Sequence, residues 1–388
     1  MIPYGKQQID QDDIEAVTAV LQSTWLTQGP QVPAFELAVS AVCHAKFAIA
    51  LNSATSALHI ACLALDVGPG DLVWTSPNSF VASANCALYC GASVDFVDIE
   101  LATGNLCTSA LEAKLHLASR QNKLPKVLIP VHFAGQPCDM AKIYQLSQQY
   151  GFRIIEDASH AIGARYQDVP VGNCQYSDIC VFSFHPVKII TSGEGGMATT
   201  NDPKLARKIQ MLRSHGITSQ DDELTEPSHG VWYYQQQLLG YNYRMTDLQA
   251  ALGKSQITKL TDFVTARQTL AKWYDRAFDS NLDITPLVQQ PFAYSSYHLY
   301  VVRLSNLTKA QHKESVAFLR QQGVAGHLHY TPIYLQPYYQ QLGFKAGYCP
   351  QAEVYYQQAV TLPLFPGLTT DEQKIIVNTL QQYIEKTR

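Results

Sequence analysis

Short apolar runs alternate with longer stretches of helical spacing between about residues 45 and 200. Six of the runs are rich in β-branched and aromatic residues and are bounded by Gly, Pro, Asn or Asp, which is typical of buried strands. They lie at 47–51, 72–75, 94–97, 127–131, 154–156 and 179–184. Helical spacing between them predicts helices at 55–65, 81–90 and 140–150. This alternation favours an α/β fold whose mostly parallel sheet is covered on both faces and binds ligands at the carboxyl ends of its strands.

The pattern changes after about residue 245. A long helix is predicted from 247 to about 276, followed by a strand at 298–304 and helices at 309–322 and 370–384. These elements predict a smaller α+β lobe. We therefore expect a large domain at 12–245 and a small C-terminal domain at 246–388, with residues 1–11 packing on the small one.

Length and composition agree with this division. The chain has 388 residues, 46% of them hydrophobic and 15% charged, which is an ordinary globular balance with room for two lobes. A net charge of −4 argues against a nucleic-acid partner, because a phosphate backbone requires a basic face. The sequence lacks a signal-like amino terminus and any run of about 18 apolar residues, so we expect a cytoplasmic protein without a membrane partner.

Nine cysteines are present without C-x-x-C pairs, which favours buried thiols in a reducing compartment. A zinc site at Cys174, Cys180, His160 and His185 is the alternative, but their spacing matches no structural zinc motif. We therefore expect no metal.

Lys188 and Asp157 are the main candidates for chemistry. Lys188 follows the predicted strand 179–184 in a glycine-bearing loop, where partial loss of water lowers the pKa of an amine and lets it form an imine. Asp157 ends the preceding strand, and a carboxylate there can hold the ring nitrogen of pyridoxal phosphate (PLP) in its protonated form. The alternatives are a surface lysine in a turn and an aspartate that caps a helix.

Four further features extend this cofactor hypothesis. His160 can stack on the ring or hydrogen-bond near its phenolic oxygen, unless it is a satisfied core histidine. The segment 52–58 turns a strand into a helix through small hydroxyl residues, which suits a phosphate but also an ordinary N-cap. Ser183 offers another phosphate contact. Phe80 can cover one ring face, although core packing explains it nearly as well.

The C-terminal half contributes candidates for substrate binding. His327, His329 and Tyr330 are candidates for a substrate pocket, with interface packing as the alternative. Arg213 and His215 are candidates for the same cleft, without an assigned ligand group.

Several motifs together resemble those of the DegT-type sugar aminotransferases, which are fold-type I PLP enzymes that act on nucleotide-linked keto sugars. The resemblance covers the whole chain, and the motifs are WLTQGP at 25–30, NSATSAL at 52–58, EDASH at 156–160, SFHPVK at 183–188, GEGG at 193–196 and GYNYRM at 240–245. It implies an aspartate aminotransferase-like fold with a large domain, built on a central, mostly parallel seven-stranded sheet, and a smaller α+β domain.

The resemblance also implies roles for individual residues. Lys188 is the Schiff-base lysine, Asp157 the partner of the ring nitrogen and Phe80 a stacking residue, while His160 stands where many relatives have glutamine. The implied phosphate ligands are Ala54, Thr55 and Ser183, together with Asn242 from the other subunit, so the active unit is expected to be a homodimer with shared active sites. Relatives that dehydrate sugars have histidine in place of the lysine, and Lys188 argues against that chemistry.

Within this family, the chain resembles the transaminases of the pseudaminic acid pathway. Such enzymes use L-glutamate to aminate C4 of UDP-2-acetamido-2,6-dideoxy-β-L-arabino-hexos-4-ulose, giving UDP-4-amino-4,6-dideoxy-N-acetyl-β-L-altrosamine. The implied substrate-binding residues are Tyr4, Trp25, Leu26, Thr27, His185, His327, His329 and Tyr330. The alternatives are an aminotransferase for another nucleotide-linked 4-keto sugar, of the perosamine or 4-amino-arabinose type, and a non-catalytic PLP-binding regulator. A Rossmann dehydrogenase is disfavoured because no G-x-G-x-x-G follows the first strand.

Overall fold

A computed structural model describes residues 1–387. Its α-helices are α1 Gln11–Leu21, α2 Gln31–Cys43, α3 Ala54–Ala64, α4 Ala82–Tyr89, α5 Thr108–Arg120, α6 Met140–Tyr150, α7 Pro203–Arg213, α8 Asp247–Ile257, α9 Leu260–Phe278, α10 Lys309–Gln321, α11 Pro337–Gln341, α12 Pro350–Gln358 and α13 Thr370–Thr387. None of the helices in this range is both long enough and apolar enough to cross a lipid bilayer.

The strands fall into one large sheet and three small ones. They are β1 Phe47–Leu51, β2 Leu72–Thr75, β3 Ser93–Phe96, β4 Val127–Ile129, β5 Arg153–Asp157, β6 Arg165–Tyr166, β7 Val169–Pro170, β8 Ile179–Ser183, β9 Gly196–Thr200, β10 Ile217–Thr218, β11 Gln235–Gln236, β12 Thr285–Pro286, β13 Ala293–Tyr294, β14 Tyr300–Arg303 and β15 Ala359–Leu362. The large sheet has seven strands in the order β1-β9-β8-β5-β4-β2-β3. All its neighbouring pairs are parallel except the two that β9 makes, with β1 and with β8. The predicted mostly parallel seven-stranded sheet is confirmed.

Both faces of this sheet are covered, as its strands predict. Successive residues of β1 point to opposite sides. Ile49 and Leu51 join a buried cluster with residues of α3 and α4, whereas Ala48 and Ala50 join a second cluster with residues of α2 and α8. Although β1 is an edge strand of the sheet, it is therefore covered on both faces rather than amphipathic.

The hydrophobic pattern does not predict β9, because Gly196–Thr200 is made largely of small and hydroxyl-bearing residues. The structure buries all five of them. The hydroxyl of Thr199 donates to the carbonyl of Gly172 at 2.8 Å, and that of Thr200 donates to the carbonyl of Asp178 at 2.7 Å. These bonds satisfy the hydroxyl groups and so permit their burial.

The prediction of one long helix from 247 to about 276 is wrong, since α8 ends at Ile257 and α9 begins at Leu260. The turn between them places the ammonium group of Lys259 3.0 Å from the carboxylate of buried Asp13 on α1. It also sends Leu260 into the core beside Gly163.

A second sheet, in the order β12-β14-β15, is antiparallel and packs with α9, α10 and α13. The amino terminus reaches this part of the chain, because Ile2 pairs with Val324 and the carbonyl of Tyr4 accepts a hydrogen bond from the amide of Leu364 at 3.1 Å. The division into domains at residues 245 and 246 stays a prediction.

The topology brings three chain segments to one edge of the large sheet. β1, β5 and β8 run in the same direction, and they end at Leu51, Asp157 and Ser183. Parallel strands present their carboxyl ends at the same edge, so the start of α3, Asp157 and the loop that carries Lys188 open on one cleft.

We expect Gly253→Ala to destabilise the fold, although alanine favours a helix over glycine by about 1 kcal/mol. A Cβ at Gly253 would lie 2.6 Å from the ring of Phe35, which is fully buried and packs against Phe184 with ring centroids 5.0 Å apart. Overpacking of about 1–3 kcal/mol should exceed the propensity gain and lower the thermal unfolding midpoint.

The matched control is the double variant Phe35→Leu/Gly253→Ala. Because leucine makes room for the new methyl group, the double variant should lose less stability than the sum of the two single losses. Strict additivity would show that α2 and α8 do not need this glycine for their close approach.

Candidate active site

Lys188 lies in the loop that follows β8. Its backbone amide donates to the carbonyl of His185 at 2.9 Å, and the loop returns where Ser192 donates to the carbonyl of Phe184 at 3.0 Å. The side chain is partly buried. Removal of the ammonium group from water lowers the pKa of Lys188 to about 8, although the charge of Asp157 opposes this shift. Lys188 is thus an amine that becomes a neutral nucleophile near physiological pH, not a surface lysine in a turn.

The carboxylate of Asp157 is buried and held by two donors. Its Oδ1 accepts the amide hydrogen of Ser159 at 3.1 Å, and its Oδ2 accepts the hydroxyl hydrogen of Ser83 at 2.6 Å. The Oγ of Ser83 in turn lies 2.7 Å from that of Ser79. These bonds fix the orientation of the carboxylate at the end of β5, where a ring nitrogen could approach it.

Ser83 is a part of the site that the sequence does not reveal. It is buried in the first turn of α4, and its amide donates to the carbonyl of Phe80, three residues earlier, at 3.3 Å. Its place three residues after Phe80 is the signal that could have identified it, but serine is too common in helices for the spacing to be decisive.

The start of α3 forms a cradle suited to an anion. Ser53 caps the helix, since its Oγ accepts the amide hydrogen of Ser56 at 3.1 Å. The following amides of Ala54 and Thr55 belong to the first helical turn, whose N–H groups have no partner within the helix. A Cβ at Gly196 would lie 2.4 Å from the carbonyl carbon of Ser53 and 2.6 Å from the nitrogen of Ala54, so glycine allows β9 to pass directly beside this turn.

Ser183 belongs to the same corner of the cleft. It pairs with Gly196 in the register between β8 and β9, and Gly196 touches the cradle. Phe80 is 60% exposed, which rules out core packing as the explanation for this side chain.

His160 is buried, and both of its ring nitrogens have protein partners. Nδ1 accepts the amide hydrogen of Ala134 at 3.3 Å, and Nε2 lies 3.2 Å from the hydroxyl oxygen of Tyr330. Neither ring nitrogen is therefore free for the predicted hydrogen bond to the phenolic oxygen of PLP. The predicted stacking on the PLP ring remains compatible with this arrangement. Buried His298, with its ring centroid 4.4 Å from that of His160, is a neighbour for which the sequence gives no signal.

Tyr4, His327 and His329 form an aromatic cluster next to these residues. The two histidine rings stack with centroids 4.6 Å apart, and the Tyr4 ring lies 5.2 Å from His327 and 5.3 Å from His329. Burial lowers the pKa of His329 to about 3, assisted by His327 and Lys188. His329 is therefore neutral, and its Nδ1 lies 2.9 Å from the Oγ1 of Thr361.

The remaining predicted residues lie farther out. Trp25, Leu26 and Thr27 are exposed, and the carbonyl of Leu26 accepts the amide hydrogen of Asp247 at 3.0 Å. Exposure also characterises two histidines and an asparagine, which are His185, His215 and Asn242. Of these six residues, only His185 is joined to Lys188 by a described contact, the backbone bond from the Lys188 amide to its carbonyl.

Arg213 was predicted as a candidate for the cleft, and this is wrong. Its guanidinium group binds the carboxylate of Glu36 and donates to the carbonyl of Ala50 at 2.7 Å. These bonds join α7 to α2 and β1, so the arginine is committed to the fold.

Comparison with known proteins identifies the chain. Its sequence matches the DegT/DnrJ/EryC1/StrS aminotransferase family over residues 7–381. The chain belongs to this family. The predicted resemblance and the predicted fold are thereby confirmed.

Three similar proteins illustrate the range of this family. The UDP-4-amino-4,6-dideoxy-N-acetyl-β-L-altrosamine transaminase of Campylobacter jejuni subsp. jejuni is 36% identical over 391 residues, which is 100% of this chain and 99% of that protein. The spore coat polysaccharide biosynthesis protein SpsC of Bacillus subtilis is 36% identical over 99% of this chain and 97% of its own length. The structure of Helicobacter pylori PseC, an aminotransferase involved in the biosynthesis of pseudoaminic acid, superposes with a TM-score of 0.91 at 32% identity, and the match covers 99% of both chains.

The enzyme is thus a sugar aminotransferase, and its cofactor is PLP. The residues of the cleft fit this group. The amine of Lys188, with its lowered pKa, suits imine formation with the aldehyde of PLP. The fixed carboxylate of Asp157 suits the ring nitrogen, and the α3 cradle with Ser183 suits the phosphate. Because residue 196 is glycine, β9 can pack against this cradle without a steric clash.

In the cofactor-free enzyme, we expect amine-reactive labelling of Lys188 to rise with pH through a midpoint near 8. Below that pH the side chain is a charged ammonium and does not react. Asp157→Asn removes the negative charge that favours the ammonium form, so the midpoint should move to lower pH. Mass spectrometry of the labelled peptide measures both values, with exposed Lys123 as the internal reference. A midpoint near 10.4, the value of an ordinary lysine, would contradict the description of Lys188 as a desolvated amine.

Proposed function

We propose that the enzyme transfers the amino group of L-glutamate to C4 of a UDP-linked 4-keto-6-deoxy sugar, UDP-2-acetamido-2,6-dideoxy-β-L-arabino-hexos-4-ulose. The observation that carries the proposal is the placement of a low-pKa amine and a fixed carboxylate beside the aromatic cluster of Tyr4, His327 and His329. The likeness to the Campylobacter jejuni transaminase and to Helicobacter pylori PseC supports this choice of sugar. The product would be UDP-4-amino-4,6-dideoxy-N-acetyl-β-L-altrosamine.

Lys188 performs the covalent and proton-transfer work of the protein. PLP, when bound, supplies the electron sink that makes the α-hydrogen of glutamate acidic. Neutral Lys188 accepts this proton, and its ammonium form then donates a proton to the neighbouring reacting carbon. A lysine with a pKa near 8 can exist in both forms at physiological pH, so one side chain can act as base and as acid. Asp157 would hold the ring nitrogen of the bound cofactor in its protonated form.

The aromatic cluster of Tyr4, His327 and His329 suits the sugar rather than the diphosphate of the substrate. His329 has a strongly lowered pKa, and Tyr4 has a raised one because of burial, so both side chains are uncharged at neutral pH. Uncharged imidazole and phenol groups exchange hydrogen bonds with hydroxyl and acetamido groups. We assign His327 and Tyr330 to the same sugar-binding part of the cleft. The outer, nucleotide-binding part would consist of Trp25, Leu26, Thr27 and His185, and the exposed indole of Trp25 can stack on uracil.

The proposed reaction is tested by adding glutamate and then purified UDP-4-keto sugars to the PLP-loaded enzyme. Visible absorbance should fall with glutamate and return with the β-L-arabino-hexos-4-ulose faster than with precursors of perosamine or 4-amino-arabinose. Lys188→Arg keeps the charge but cannot form the imine, and it should abolish both the absorbance band and turnover. A faster return with another keto sugar would reassign the substrate and leave the mechanism intact.

We also propose that two copies of the chain share their active sites, with Asn242 of each copy reaching the phosphate held by the other. The side chain of Asn242 is exposed, but its backbone is held in place. Asn242 forms a β-bridge with Ser214, and the neighbouring carbonyl of Tyr243 accepts the amide hydrogen of Asn52 at 2.9 Å. Nearby apolar side chains are also exposed, such as Trp232 at 74% and Leu239 at 81%, and would be covered by a partner.

Complementation between variants tests this arrangement. Lys188→Ala and Asn242→Ala should each be impaired as homodimers. A hybrid of the two has one site with both residues intact, so random 1:1 assembly should restore about a quarter of wild-type activity. Co-expression with two different affinity tags allows the hybrid to be purified and assayed. An activity equal to the mean of the two homodimers would show that Asn242 acts within its own subunit.

A further inference from the structure

The hydrogen bonds around His160 determine where its proton lies. The amide of Ala134 can only donate, so Nδ1 of His160, 3.3 Å away, must accept. Burial lowers the pKa of His160 well below its usual value, assisted by the positive charge of Lys188. The imidazole is therefore neutral and has one hydrogen. That hydrogen lies on Nε2.

This tautomer sets the direction of the next hydrogen bond. Nε2 of His160 lies 3.2 Å from the hydroxyl oxygen of Tyr330, so the histidine donates and the tyrosine accepts. No group among residues 1–387 then accepts the hydrogen of the Tyr330 hydroxyl. Burial also raises the pKa of Tyr330, assisted by Tyr4 and Asp157, so the hydroxyl keeps this hydrogen at neutral pH.

The Tyr330 ring is held in place by three contacts besides this bond. Its backbone amide donates to Oδ1 of Asn78 at 3.1 Å. Its ring meets Phe133 edge-on, with centroids 6.2 Å apart, and His329 edge-on at 4.9 Å. Besides burial, the charge of Lys188 contributes to the lowered pKa of His160, and that of Asp157 contributes to the raised pKa of Tyr330, so both residues respond to the charged groups of the cleft.

We propose that Tyr330 is an oriented hydrogen-bond donor to the C4 keto oxygen of the sugar, and that His160 is the positioning residue that turns it toward that oxygen. The inference rests on the proposed function. As nitrogen replaces oxygen at C4, the incoming amino group gives up two hydrogens, and the oxygen takes them up and leaves as water. The oxygen gains negative charge before it is protonated, so a fixed donor stabilises it more in the transition state than in the ground state. Tyr330 donates a hydrogen bond and does not transfer its proton, since its pKa is raised.

The test separates the two half-reactions. With glutamate, the visible absorbance is lost before any oxygen bonds to the α-carbon of glutamate. With the keto sugar, the absorbance can return only after the C4 oxygen of the sugar has left. Tyr330→Phe keeps the ring and removes the donor. We expect it to slow the return by about 10- to 100-fold and to affect the glutamate phase far less. The pH titration of the visible band of the resting enzyme should stay at its wild-type midpoint.

His160 provides the matched pair of variants. In His160→Gln, the side-chain oxygen can accept from Ala134 while the amide nitrogen donates to Tyr330, so this variant should keep most of the keto-sugar rate. His160→Leu cannot make either bond and should lose about as much as Tyr330→Phe. The double variant His160→Leu/Tyr330→Phe should be no slower than Tyr330→Phe alone, because both changes remove one interaction.

Several outcomes would overturn the inference. Equal slowing of both phases would indicate a structural role, and a shifted titration midpoint would place the donor at the cofactor instead of the sugar. A wild-type rate for His160→Leu would eliminate the positioning role. If wild-type enzyme returns absorbance with none of the UDP-4-keto sugars, the proposed function and this inference both fail. If it responds to one of them and Tyr330→Phe responds equally fast, only this inference fails.

Discussion

The site depends on the partial removal of one amine from water while a single carboxylate opposes the effect. Burial alone would push the pKa of Lys188 lower, and the charge of Asp157 raises it, so that it settles at about 8. The carboxylate can do this only because Ser83 and Ser159 fix its position at the end of β5. Lys188 and Asp157 are 31 positions apart in sequence. The parallel pairing of β5 with β8 brings their side chains to one edge of the large sheet.

The same burial determines the character of the surrounding residues. Three histidines near a lysine would repel it strongly if they were charged. Low solvent exposure lowers the pKa of His160, His298 and His329, and their mutual proximity adds to the effect. A cluster of neutral imidazoles can then serve as fixed hydrogen-bonding groups next to a titrating amine. This arrangement suits an uncharged ligand group better than an anionic one, and the α3 cradle is the part of the cleft that suits a phosphate.

Glycine and hydroxyl residues make the close packing of the site possible. Gly196 lets β9 pass against the first turn of α3, where any Cβ would meet backbone atoms. Buried hydroxyls such as those of Thr199 and Ser83 bond to nearby acceptors and so do not weaken the core. Such positions look polar or featureless in the sequence, and they are the positions at which hydrophobic patterning failed to predict β9 and Ser83.

The sequence by itself determined the alternation of strands and helices, the mostly parallel sheet and the positions of Lys188 and Asp157 at strand ends, because these depend on local periodicity and on chain direction. It also carried the motifs of the aminotransferase family, which the match over residues 7–381 bears out. Only the tertiary structure decided that Arg213 binds Glu36, that the helix after residue 247 breaks, and that His160 meets Tyr330. These facts join residues far apart in the chain, and whether a side chain is free for a ligand or already bonded depends on neighbours that no local pattern specifies.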